Sequence, residues 1–155
     1  MTPSIVTTDE KKIIGVETRT SNAAEANPPM AKIPTLWQQF FQIAGSIPHR
    51  TDSNIVLAAY TNYESDHTGE YSLIVSSEVS SLDDVPKGMV VVRLPAAKYM
   101  KFVAEGQMPQ ELIKTWRRIW EFFSTKGTYE RAYTTDYERH DMRHGSQVEV
   151  YIAIK

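Results

Sequence analysis

The order strand, helix, strand, strand can be read twice along this chain, and that repetition directs it towards two similar units joined through a sheet. In the first copy, Lys12 to Thr20 alternates, with Ile14, Val16 and Thr18 on one side and Glu17 and Arg19 on the other. Such period-two patterning marks a strand. A polar stretch, Ser21 to Pro29, breaks it before Ile33-Pro34-Thr35 opens a helix carrying Leu36, Trp37, Phe40, Phe41 and Ala44, which ends near Gly45. Ile55 to Tyr63 and Tyr71 to Val79 follow as strands around a hairpin loop, Glu64 to Gly69, and Ser80 to Gly88 forms the seam.

In the second copy, Met89 to Leu94 and Lys98 to Ala104 are extended on either side of Pro95. Pro109 then starts a helix whose apolar stripe is Leu112, Trp116, Ile119, Trp120 and Phe123, with Gly127 at its end. Arg131 to Glu138 is the next strand, Asp141 to Ser146 a turn, and Val148, Val150, Ile152 and Ile154 alternate in the last strand. Ala59-Tyr-Thr-Asn-Tyr-Glu64 matches Ala132-Tyr-Thr-Thr-Asp-Tyr-Glu138 with one inserted residue. Tyr63-Glu64 and Tyr137-Glu138 therefore stand 74 positions apart (137 − 63 and 138 − 64), and Trp37 pairs with Trp116.

The reading is an α+β fold: a duplicated β-α-β-β module with pseudo-twofold symmetry, an antiparallel sheet, two helices and a central ligand cleft. Residues 1–10 are expected to be a flexible tail ahead of a single domain, 11–155, with halves over about 11–80 and 88–155. A net charge of −2 removes the electrostatic footprint of a nucleic-acid binder, so no direct nucleic-acid partner is expected. With no cysteine, thiolate chemistry and disulfides are excluded. No apolar run approaches a membrane span and Met1 to Glu10 lacks a signal pattern, so a cytoplasmic location is expected.

At Trp116-Arg-Arg-Ile-Trp120, Asp136-Tyr-Glu138, Asn62-Tyr63-Glu64 and Lys98-Tyr99-Met100-Lys101-Phe102, the chain resembles the GyrI-like effector-binding family, and more narrowly the integron-cassette effector-binding proteins. The resemblance runs over about Ile14 to Ile154. It implies the duplicated fold, no metal and no cofactor, and an aromatic-lined cleft for amphipathic organic cations with a buried glutamate as counter-charge. Glu138 is the matching position. Lacking a helix-turn-helix segment, the chain is expected to act as a free-standing binder of small molecules, with a protein partner or homodimer as further possibilities.

A carboxylate in an apolar cleft is costly, and an organic cation compensates it while aromatic faces add cation–π attraction. The candidate ligand-binding residues are Glu138, Tyr137, Trp116, Tyr63, Glu64, Tyr71, Tyr99, Tyr60 and Tyr151. The unliganded Glu138 is expected to have a raised pKa. Trp37, Trp120 and Phe123 read as core. His140, Asp141 and His144 fall in the expected turn and read as ordinary polar residues rather than metal ligands. Alternative functions are a hydrolase in which Glu138 is a general base, an inhibitor that binds a protein, and a haem carrier.

Overall fold

The computed structural model describes residues 3–125 and 127–155. In chain order the elements are β1 (Ser4–Thr8), β2 (Lys11–Ser21), a single helical turn α1 (Asn22–Glu25), α2 (Ile33–Ile43), β3 (Ile55–Thr61), β4 (Glu70–Val79), β5 (Val90–Leu94), β6 (Ala97–Glu105), α3 (Gln110–Ser124), β7 (Thr135–Asp141) and β8 (Gln147–Ala153). The eight strands form one curled antiparallel sheet in the order β1-β6-β8-β7-β3-β4-β2-β5. The expected α+β architecture with two halves and two main helices is the one observed. Among the described residues, no helix is long and apolar enough to cross a membrane.

The register of the sheet shows how the halves are related. The central strands β3 and β7 pair antiparallel from Ile55↔Asp141 to Thr61↔Thr135, so a pseudo-twofold axis passes through the pair Ala58↔Glu138. Equivalent residues of these strands are 80 apart (138 − 58), not 74. Tyr63-Glu64 lies beyond the end of β3, whereas Tyr137-Glu138 lies within β7. The duplication is thus real in the fold, but the repeated Tyr-Glu pair does not occupy equivalent places. The helices superpose at a spacing of 79: α2 buries Leu36 and Phe40, α3 buries Thr115 and Ile119 (115 − 36 and 119 − 40), and Trp37 corresponds to Trp116.

The opening segment departs from expectation. Ser4–Thr8 is not a tail but the edge strand β1, paired with β6. Its counterpart, 86 positions on (90 − 4), is β5, paired with β2. Each half therefore lends its first strand to the other half's edge. The short, polar β1 carried little periodic signal of its own, and its extended state is stabilised by a long-range ladder.

Three apolar clusters follow from this arrangement. Ile14, Val16, Leu73 and Val75 pack under Leu36 and Phe40 of α2, and Met100, Phe102, Val150 and Ile152 pack under Ile119 of α3. On the opposite, concave face, Ile13, Leu57, Ile74, Leu94, Tyr99 and Tyr137 form a third. Because α2 lies on β2 and β4 and α3 on β6, the middle of the helical face, over β3 and β7, is the floor of a cleft.

Close backbone approach at one point in β2 demands glycine. A Cβ on Gly15 would stand 2.0 Å from the Val75 carbonyl oxygen, whereas a Cβ on Gly45 would meet nothing within 4 Å. Gly15→Ala should lower unfolding stability by about 1–3 kcal/mol in urea titration, the usual range for overpacking, while Gly45→Ala should not lower it.

Candidate ligand-binding site

Successive residues of a strand point to opposite faces, so β7 presents Asp136, Glu138 and His140 to the helical face and Tyr137 to the concave one. The Glu138 carboxylate lies at the centre of the cleft floor and is only 4% exposed. Ala58, directly opposite on β3, carries just a methyl group and is fully buried. Three side chains donate to this carboxylate: the Tyr60 hydroxyl to Oε2 at 2.7 Å, the Trp116 indole Nε1 to Oε2 at 2.7 Å, and His140 Nε2 with Oε1 at 2.8 Å.

Tyr60 comes from β3, Trp116 from α3 and His140 from β7, so elements of both halves converge on one charge. The aromatic packing repeats the pseudosymmetry. Trp116 stands edge-on to Tyr60 at 5.2 Å between ring centres, and Trp37 stands edge-on to His140 at 4.8 Å. Tyr60 and His140 are themselves equivalent, 80 positions apart (140 − 60).

Burial pushes the Glu138 carboxyl up, but the hydrogen bond and charge of His140, followed by the Tyr60 and Trp116 hydrogen bonds, outweigh it. The group is held below the usual carboxylate range, contrary to the raised value expected from burial alone. Burial, reinforced by the neighbouring Glu138 charge, holds the Tyr60 hydroxyl well above its ordinary range, so it remains a donor. Among the described residues, no lysine or arginine pairs with Glu138; its only salt-bridge partner is His140.

Two cavities adjoin this centre and share Tyr60 and Ile33. The larger, about 520 Å³, is lined by Trp37, Phe41, Leu112, Glu138, His140 and Met142 among others. The smaller, about 180 Å³, is walled by Tyr60, Tyr63, Tyr71, Trp116 and Trp120, with Glu25 and Arg131 at its polar side. Phe41, Ile113 and Met142 are exposed apolar side chains on these walls.

Beside the smaller cavity is a second buried charge cluster. Arg131 Nη2 donates to Asp136 Oδ2 at 2.7 Å, the Tyr63 hydroxyl donates to the same oxygen, and Ala153 N donates to Oδ1 at 2.8 Å. The guanidinium lies 4.4 Å from the centre of the Tyr133 ring. Here the negative charge is fully matched by a positive one.

Of the residues singled out from sequence, Glu138, Tyr60, Tyr63, Tyr71 and Trp116 come together on the helical face. The others do not. Glu64 is exposed in the loop after β3, where it accepts from the Glu70 backbone N–H. Tyr99, Tyr137 and Tyr151 pack against one another on the concave face, with Tyr137 stacked on Tyr151 at 4.6 Å. Both faces of the sheet are buried, so aromatic content alone could not distinguish the cleft from the opposite core.

His140 went unrecognised because β7 runs over Thr135–Asp141 rather than Arg131 to Glu138, which puts His140 inside the strand and not in a turn. Strand parity with Glu138 would have found it. Trp37 and Trp120, expected in the core, line the larger and smaller cavities respectively.

A model of the integron-associated effector-binding protein family, Cass2, matches residues 4–154. The chain belongs to the Cass2 family. This Cass2-family chain is 36% identical to the Vibrio cholerae integron cassette protein VCH_CASS2, whose crystal structure it matches with a TM-score of 0.84 over 99% of this chain and 95% of that one. It is 29% identical to YobU of Bacillus subtilis strain 168 over 95% of this chain and 94% of that protein. It is also 28% identical to the Pseudomonas aeruginosa transcriptional regulator BrlR over 81% of its length, spanning about half (47%) of BrlR. The structure of SAV2435 bound to tetraphenylphosphonium shares the fold, with a TM-score of 0.78, 17% identity and coverage of 100% and 94%.

The donors around Glu138 make a pH-dependent contribution to stability. A carboxyl held below its unfolded pKa stabilises fully above that value, and the contribution is lost as pH falls through the folded pKa. Tyr60→Phe removes one donor and should cost about 1–3 kcal/mol near pH 7. In urea titrations the deficit should shrink as pH falls through the folded-state pKa of Glu138, below which the carboxyl is protonated in both proteins.

Proposed function

We propose that this protein is a receptor for amphipathic organic cations, with Glu138 as the counter-charge at the floor of the cleft. The observation that carries the reading is an ionised, buried carboxylate held by hydrogen bonds in an aromatic-lined cavity with no lysine or arginine beside it among the described residues. Tyr60 and Trp116 stabilise the charge without cancelling it, so a cation entering the cavity gains an attraction little screened by water. Trp37, Tyr60 and Trp116 line the cavities, and a cation seated over such rings gains cation–π attraction. The apolar walls suit the hydrophobic body of such a compound.

The SAV2435 complex with tetraphenylphosphonium, on the same fold, supports choosing a lipophilic cation as probe. Membership of an effector-binding family supports binding as the task. The Arg131–Asp136 pair has the opposite character, being internally neutral, and its part in this reading is to brace Tyr63 and the cleft wall.

Titration calorimetry with tetraphenylphosphonium and an uncharged compound of similar shape tests this. Glu138→Gln should weaken the cation about 10–100-fold, corresponding to about 1.4–2.7 kcal/mol, and change the neutral compound far less. Equal loss for both would overturn the electrostatic role, and steady conversion of the compound into a product would move the reading to a hydrolase.

A further inference from the structure

Of the three donors that hold the Glu138 carboxylate, one alone, His140, is an imidazole. The Tyr60 hydroxyl and Trp116 indole remain neutral donors, whereas an imidazole is neutral or cationic within the physiological range. His140 Nε2 lies 2.8 Å from Glu138 Oε1, and the side chain is 15% exposed, so it is both coupled to the carboxylate and open to proton exchange through the cleft. Its ring lies edge-on to Trp37, and Nδ1 makes no hydrogen bond with the described residues. With both nitrogens protonated, His140 and Glu138 form an ion pair and the cavity floor is neutral. With one proton lost, the floor carries a single negative charge.

The other groups around His140 do not mask this change. On its own strand, Asp141 also lines the cavity, but the Arg143 hydrogen bond holds its carboxyl low, at about 2, and Arg143 matches its charge. From β3 the titratable group is Tyr60, which stays protonated. From α2, the start of α3 and β8 the neighbours are Trp37, Leu112 and Val148, none of them charged.

Building on the cation-receptor reading, we propose that His140 determines the charge specificity of the site: an organic cation and the second imidazole proton compete for the Glu138 carboxylate. Cation binding to the protonated form releases one proton to solvent, so charge balances and the carboxylate keeps a single cationic partner. Two positive charges against one buried carboxylate would repel each other in a medium of low effective dielectric. A neutral ligand meets no such competition.

Calorimetric titration of tetraphenylphosphonium over about pH 5.5 to 8, in buffers of different ionisation enthalpy, tests the exchange on the wild-type protein without any variant. Affinity should rise by up to about tenfold per pH unit on the acid side and level off on the alkaline side, with up to one proton released per cation bound at the acid end. His140→Gln keeps an N–H donor for Glu138 but has no proton to lose. It should bind the cation more tightly than wild type at about pH 5.5, by about tenfold, and without buffer-dependent heat. Tight, Glu138-dependent binding that is flat with pH and releases no proton would overturn the proposal while leaving the receptor reading intact. A slope that persists in His140→Gln would overturn it equally, and no cation binding at any pH would overturn both.

Discussion

A carboxylate held away from water at the middle of the sheet sets the terms for everything around it. Burying an ionised glutamate costs several kcal/mol unless donors are supplied, and here the donors are Tyr60, Trp116 and His140, drawn from β3, α3 and β7. Their convergence ties the second helix to the central strand of the first half. Trp37 of α2, packed on His140, brings the first helix into the same cluster. The cleft is thus bounded by elements whose mutual positions the carboxylate itself helps to hold.

Duplication explains how such a centre can exist. A twofold arrangement places equivalent residues opposite each other across the axis, and at Ala58 and Glu138 they are direct cross-strand partners. Two glutamates there would repel and force one to remain protonated. Divergence of the halves, methyl on one side and carboxylate on the other, yields a single charge, and that carboxylate lines the larger cavity. The flanking positions remain symmetric in place but not in chemistry: Tyr60 and His140 both reach Glu138, one through a hydroxyl and the other through an imidazole.

The two buried acids illustrate a wider distinction. Asp136 is matched by Arg131, and its remaining lone pairs are taken by Tyr63 and a backbone N–H that closes the end of β8. Such a pair specifies how a loop and a strand meet and leaves no net charge for a ligand to answer. Glu138, two residues along the same strand face, has hydrogen bonds without a permanent cation. Proximity in sequence and equal burial therefore conceal opposite roles, which become visible only when the partners are known.

The periodic patterns of the sequence by themselves determined the order of the main elements from β2 onward, the duplication and the two amphipathic helices, because apolar spacing and strand alternation are local properties; Glu138 was singled out by the resemblance to the GyrI-like family. The parity of β7 was legible too: adjacent Tyr137 and Glu138 cannot share a sheet face, and His140 must share one with Glu138. Tertiary structure alone decided which face became the cleft, since the strands are covered on both sides, by helices on one and by the curl of the sheet on the other. It also decided the charge state of Glu138, which depends on donors 78 and 22 residues distant as well as on His140. Local periodicity says which side chains point together; the dielectric and the hydrogen bonds they meet there arise only once distant segments have packed.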